Sequence, residues 1–151
     1  MRSTTLLQTL FLAATTTFAA SETSVSNNCS FPIYYFPVDS TGPTAAQIIG
    51  PGGYLMQPQW FDGKTGTALK VTKTPDGLWT GKPVLNFGYT VKDGATWYDI
   101  STINGFDFGG EKITLEGNKE GAERIEWDGA PGPVKIAHYA GELDLVLEIC
   151  A

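Results

Sequence analysis

The chain has 151 residues, a formal net charge of −6, 18 glycines, 9 prolines and two cysteines. An acidic surface argues against nucleic acid and anionic membranes as partners. Two distant cysteines and a single histidine make no ligand set, so neither a metal nor a cofactor is expected.

The chain opens with Met1-Arg2, then Leu6, Leu7, Leu10, Phe11, Leu12, Ala13 and Ala14, then mostly small residues from Thr15 to Ala20. A basic start, a short apolar run and a small-residue end read as a signal peptide over 1–19. Thr17 and Ala19 suit the −3 and −1 positions of cleavage. The run is too short and too rich in threonine to span a bilayer. Residues 20–151 are then one secreted domain, expected as a monomer, and loss of Arg2 takes its charge to −7.

No segment of that domain shows sustained helical periodicity. Turn signals recur at short intervals, among them Pro51-Gly52-Gly53, Pro75-Asp76-Gly77, Asp93-Gly94, Asn104-Gly105 and Asp128-Gly129. Short runs of Val, Ile, Thr and aromatics lie between them, which predicts an all-β sandwich or barrel. Asn28-Cys29-Ser30 is a candidate N-glycosylation sequon at Asn28. Cys29 and Cys150 would pair in an oxidising compartment; the alternative is two free buried thiols.

The first expected strand covers Ser30 to Val38. Pro32 and Pro37 cannot donate to a ladder, so it should lie at an edge or carry a bulge. Asp39–Gln47 and Leu55–Lys64 read as variable loops, with a strand at Ala68–Thr74 after them. Val84–Val91 alternates cleanly, and Asp93-Gly94 turns it into "TWYDISTING", residues 96–105. A two-residue turn there sets the register of a hairpin. It places Tyr89 opposite Tyr98 and Phe87 opposite Ile100 on a core face. Asn86 then falls opposite Ser101, Gly88 opposite Asp99 and Thr90 opposite Trp97 on the other. Further strands are expected at Lys112–Leu115, Arg124–Trp127, Val134–Tyr139 and Leu143–Ile149.

The face with Trp97 and Asp99 has two readings. One is an ordinary solvated strand with a half-buried tryptophan. The other is a sugar platform, in which a ring stacks on pyranose C–H groups while a carboxylate and an amide bond hydroxyls. Trp60, Trp79 and Trp127 read as core or loop-packing residues. His138, the one histidine, has no serine or cysteine pattern to suggest a triad. The glutamates from Glu116 to Glu126 read as a solvated hairpin surface.

"NNCS" followed by an aromatic strand, "WYDISTINGF", "FDFGGEKITLEG" and the closing "LVLEIC" together resemble thaumatin-like proteins. The resemblance is to the small secreted fungal branch named after the Blastomyces yeast-phase-specific protein. It implies a single thaumatin-like antiparallel β-sandwich in which the closing cysteine, Cys150, bonds the opening one, Cys29. It also implies a cleft bearing an arginine, a glutamate and several aspartates. Asp99 matches one of those aspartates. The glutamate position falls near Asn86 and the next acidic position on Asn104. Glycoside hydrolysis normally needs two carboxyl groups, and an amide can serve as neither acid nor base near neutral pH. The candidate ligand-binding residues are therefore Asn86, Trp97, Asp99 and Asn104, with no catalytic residue assigned. The expected function is a non-enzymatic secreted protein of the cell wall or host surface that binds polysaccharide, for which glucan is the candidate. The alternatives are a weak β-glucan hydrolase using Asp99 and a loop carboxylate (Asp93, Asp107 or Glu111), and a factor that binds a secreted or host protein.

Overall fold

The computed structural model describes residues 20–151; the signal-peptide reading of 1–19 lies outside them. Twelve strands and no helix occur among the described residues. They are β1 (Glu22–Asn27), β2 (Ile33–Asp39), β3 (Gly42–Pro43), β4 (Gln47–Ile49), β5 (Tyr54–Pro58) and β6 (Thr67–Thr72). Then come β7 (Val84–Lys92), β8 (Ala95–Ile103), β9 (Lys112–Gly117), β10 (Ile125–Asp128), β11 (Ala137–Tyr139) and β12 (Leu145–Ile149). Five form one sheet in the order β10-β9-β12-β1-β5. The other sheet runs β11-β8-β7-β6-β2-β3, with β4 also pairing β2.

The β7–β8 hairpin has the expected register, Tyr89 against Tyr98 and Gly88 against Asp99. Asp93 and Gly94 both hold positive φ, 51° and 73°. That is the turn whose twist matches a two-residue hairpin. Pro37 also behaves as its chemistry requires. β2 pairs fully with β6 on one side, but on the other it meets only β4 at residues 33–35 and β3 at 38–39. Pro37 falls in the gap, where its carbonyl accepts a bond from the Thr44 N–H at 2.9 Å.

Two expectations need correction. The expected strands begin only at Ser30, whereas β1 precedes it. β3 and the start of β4 lie in the first expected loop, and most of β5 lies in the second. The thaumatin-like antiparallel-rich sandwich is as expected, and within it one pair is parallel, β1 with β12, with Val25 against Leu147.

The two inner faces close on one core. Val25, Ile113, Leu115 and Leu147 come from the first sheet; Leu69, Val71, Phe87, Tyr98 and Ile100 come from the second. All are at most 1% exposed. Each such side chain contributes roughly 1.5–3 kcal/mol on burial. The core tyrosines keep their hydroxyls bonded. Tyr35 donates to Gln57 Oε1 and Tyr98 to the Glu123 carbonyl, both at 2.5 Å. Trp127 joins the core and Trp60 packs beside it, whereas Trp79 is 64% exposed on a turn, against expectation. Glu116, Glu123 and Glu126 are solvated, in ion pairs with Arg124, Lys112 and Lys135. Exposed pairs of this kind contribute little.

The two cysteines are bonded, with their Cα atoms 5.0 Å apart. Beside them Asn27 is fully buried. Its amide donates to the carbonyls of Phe31 (2.8 Å) and Ile49 (2.9 Å), and its Oδ1 accepts the Cys29 N–H at 3.0 Å. One side chain thus ties β1 to the entry of β2 and to β4. Replacing both cysteines by serine should lower stability by about 2–5 kcal/mol, read as the urea midpoint multiplied by the slope. A loss below ~1 kcal/mol would show that the bond is redundant with the strands it joins.

Candidate functional site

The outer face of the larger sheet carries the residues singled out above. Cross-strand pairs place Lys70, Asn86 and Ser101 in one row over β6, β7 and β8. The next row is Ala68, Gly88 and Asp99. The third is Thr90, Trp97 and His138, the last on β11. The middle row is small at two of its three positions. The result is a trough of about 460 Å³, whose lining includes Ala68, Gly88, Thr90, Trp97, Asp99 and Ile136. That volume lies within the range of small-ligand sites.

Each wall has a distinct chemistry. Asn86 donates to Ser101 Oγ at 3.1 Å, which orients its amide beside the floor. Trp97 packs against the His138 ring with centroids 5.1 Å apart. That contact supports one part of the indole and leaves the rest to the trough. Asp99 folds over Gly88: a Cβ at that glycine would stand 2.6 Å from Asp99 Oδ1. Only glycine there leaves the carboxylate its place. Burial pushes the Asp99 carboxyl above the usual aspartate range, and among the described residues no cation or donor offsets it. The site therefore holds a partly desolvated acceptor without a protein partner.

The structure brings Asn86, Trp97 and Asp99 together but places Asn104 elsewhere. Asn104 stands five residues beyond Asp99, roughly 16 Å along the strand. It is exposed, with φ 58°, and leads into Gly105 as a turn residue. The three loop carboxylates considered for hydrolysis do not line the trough either. Asp93 lies at the far hairpin turn. Asp107 lies past the end of β8, where its carbonyl accepts a bond from Lys73 Nζ. Asp99 is the only acid among the lining residues.

Sequence reasoning places Gly88 opposite Asp99 but misses Ala68 and one rim. Ala68 carries no functional group, and only the pairing of β6 with β7 adds it to the row of Gly88 and Asp99. Ile136, 67% exposed, comes from the segment that leads into β11. At the other end, the turn after β6 folds onto the same face. A Cβ at Gly77 would stand 2.8 Å from the Thr72 Cβ, and Thr72 is fully buried. Trp79 is on that turn.

The family model described as Bys1, Blastomyces yeast-phase-specific protein, matches residues 10–151. Comparison with curated proteins finds no match. Among solved structures, the protein elicitor MoHrip2 from Magnaporthe oryzae is similar with a TM-score of 0.72 at 20% identity, over 87% of this chain and 100% of that one. The thaumatin-like xylanase inhibitor TLXI is similar with a TM-score of 0.54 at 12% identity, over 85% of this chain and 99% of that one. At these identities the likeness concerns the fold, a thaumatin-like β-sandwich.

The raised Asp99 carboxyl has a consequence for stability. Between the unfolded and the folded value the native state binds more protons, so stability falls as pH rises through that window. Asp99→Asn should therefore raise the melting temperature at pH 7 and leave it unchanged at pH 3. An equal gain at both pH values would show that the effect is not one of ionisation.

Proposed function

The chain belongs to the Blastomyces yeast-phase-specific protein family, and we propose that it is an exported, non-enzymatic protein that binds a polysaccharide at the cell wall or host surface. One observation carries this reading. A small-residue floor leaves a carboxylate without a partner among the described residues beside an aromatic wall, with the Asn86–Ser101 pair in the adjoining row. Sugars present the matching chemistry, with C–H faces for the indole and hydroxyl donors for Asp99. The net charge of −6 disfavours polyanionic glycans. A neutral glucan is the class that fits.

Export is supported by the bonded pair Cys29–Cys150, since disulfides persist in oxidising compartments. Hydrolysis is the weaker reading, because the usual mechanisms use two carboxyl groups flanking the bond. A protein-binding role is the other alternative. It draws on the exposed Val134 and Ile136 beside the trough, 75% and 67% accessible.

Pull-down on insoluble glucan, chitin and mannan tests the proposal. The protein should bind glucan without releasing reducing sugar. Trp97→Ala should weaken binding about tenfold, or ~1.4 kcal/mol. Gly88→Ala should weaken it as well, by displacing the Asp99 carboxylate, with stability altered by less than ~1 kcal/mol. Sugar release that Asp99→Asn abolishes would replace this reading with hydrolysis. Retention on none of the polymers would remove it and leave a protein partner.

A further inference from the structure

We infer that Asn28 carries an N-linked glycan, added before the Cys29–Cys150 bond closes. Asn28-Cys29-Ser30 is the only Asn-x-Ser/Thr triplet in the chain. A cysteine at its centre is the apparent obstacle, because the bonded cysteine is 4% exposed and locks the segment. Asn28 itself and Ser30 are both exposed.

The two adjacent asparagines have divided their roles. Asn27 is fully buried and its amide holds two carbonyls, so it has no room for a sugar. Asn28 uses only its main chain, whose N–H donates to the Ile149 carbonyl at 2.9 Å. Its side chain makes no hydrogen bond among the described residues and stands at the crossover from β1 to β2. That position is off the face that carries Asp99, so a glycan there leaves the trough open.

Timing removes the obstacle. The direct restraints on Asn28 and Cys29 from outside this segment come from the last three residues, the Ile149 carbonyl and the Cys150 sulfur, whereas the neighbouring Asn27 is tied to Ile49, Gly52 and Gly53. The cysteines are 121 residues apart. At synthesis rates of 5–20 residues per second, Cys150 appears ~6–24 s after Cys29. Disulfide formation itself then takes seconds to hours. During that interval β1 has β5 but no β12 to pair with, and Cys29 has no partner, so the exposed Asn28 and Ser30 flank an unbonded thiol. The chemistry needs a lipid-pyrophosphate-linked oligosaccharide as donor. The Asn28 amide nitrogen attacks the anomeric carbon and loses one proton, the C–N bond forms, and the lipid pyrophosphate leaves.

The inference rests on export, so the test reads export separately. The full chain, with its own N-terminal segment, is expressed in a yeast host, and medium and cell extract are treated with peptide-N-glycosidase. The secreted protein should gain mobility, and peptide mapping should find aspartate at position 28. Asn28→Gln and Ser30→Ala should show no shift. Cys150→Ser, read in total cell extract so that folding is not required, should show unchanged occupancy. Secreted wild-type protein with unmodified Asn28 would overturn the glycan alone. Protein retained in the cell and unmodified would overturn both export and the glycan. A shift that survives Asn28→Gln would overturn the assignment. Occupancy that rises several-fold in Cys150→Ser would overturn the timing, because it would mean that the bond competes.

Discussion

The first and last strands lie side by side in the middle of one sheet, and much of the molecule depends on that pairing. β12 is flanked by β9 and β1, and β1 by β12 and β5. The pair is parallel, so its connection is a crossover rather than a turn. Here the crossover is all the chain between them. The entropy of closing a loop that long is about 4–5 kcal/mol in the chain-entropy model, and the Cys29–Cys150 bond removes it from the folding reaction. β1 contributes only Val25 as a buried aliphatic, with Thr23 and Asn27 as buried polar neighbours. Burial alone would hold such a strand weakly. It stays through ladders on both sides, the three bonds of Asn27 and the covalent link.

The second sheet is built differently, and that difference leaves room for a site. β6, β7 and β8 form a local meander, with hairpin register set by nearby turns. Their inner face supplies much of the core. Among the described residues, no second layer covers their outer face in the middle rows. Toward β2 the same face is closed, since Phe36, paired with Lys70, and Thr72 are both fully buried. The open area is thus confined to the stretch where Ala68 and Gly88 leave space.

The parts that could be read in advance were those whose partners are near in sequence. Asp93-Gly94 set the β7–β8 register, which in turn placed Asn86, Trp97 and Asp99 on one face. β1 escapes because "ETSVSN" is polar on five of six positions and one of its two partners, β12, lies more than a hundred residues away. β5 escaped because "YLMQP" sits among prolines and glycines and pairs only with β1. Asn104 was grouped with Asp99 through the family's spacing. Counted along an extended strand, five residues carry it past the last pair and into the turn.

The pair Gly88–Asp99 carries two local costs at once. Glycine inside a strand gives up side-chain packing and conformational entropy. A carboxylate raised by burial, with no partner, is destabilising at neutral pH. An ordinary exposed face in the middle of a sheet has no use for either, and a β-branched residue with a solvated polar neighbour would serve it better. The costs are also linked, because the carboxylate occupies the volume that any larger residue than glycine would take. Coincident departures from local preference are where function is expected to outweigh stability. A ligand that donates hydrogen bonds to Asp99 would offset the desolvation that the protein's own groups leave uncompensated, and this coupling is what the proposed sugar-binding face requires.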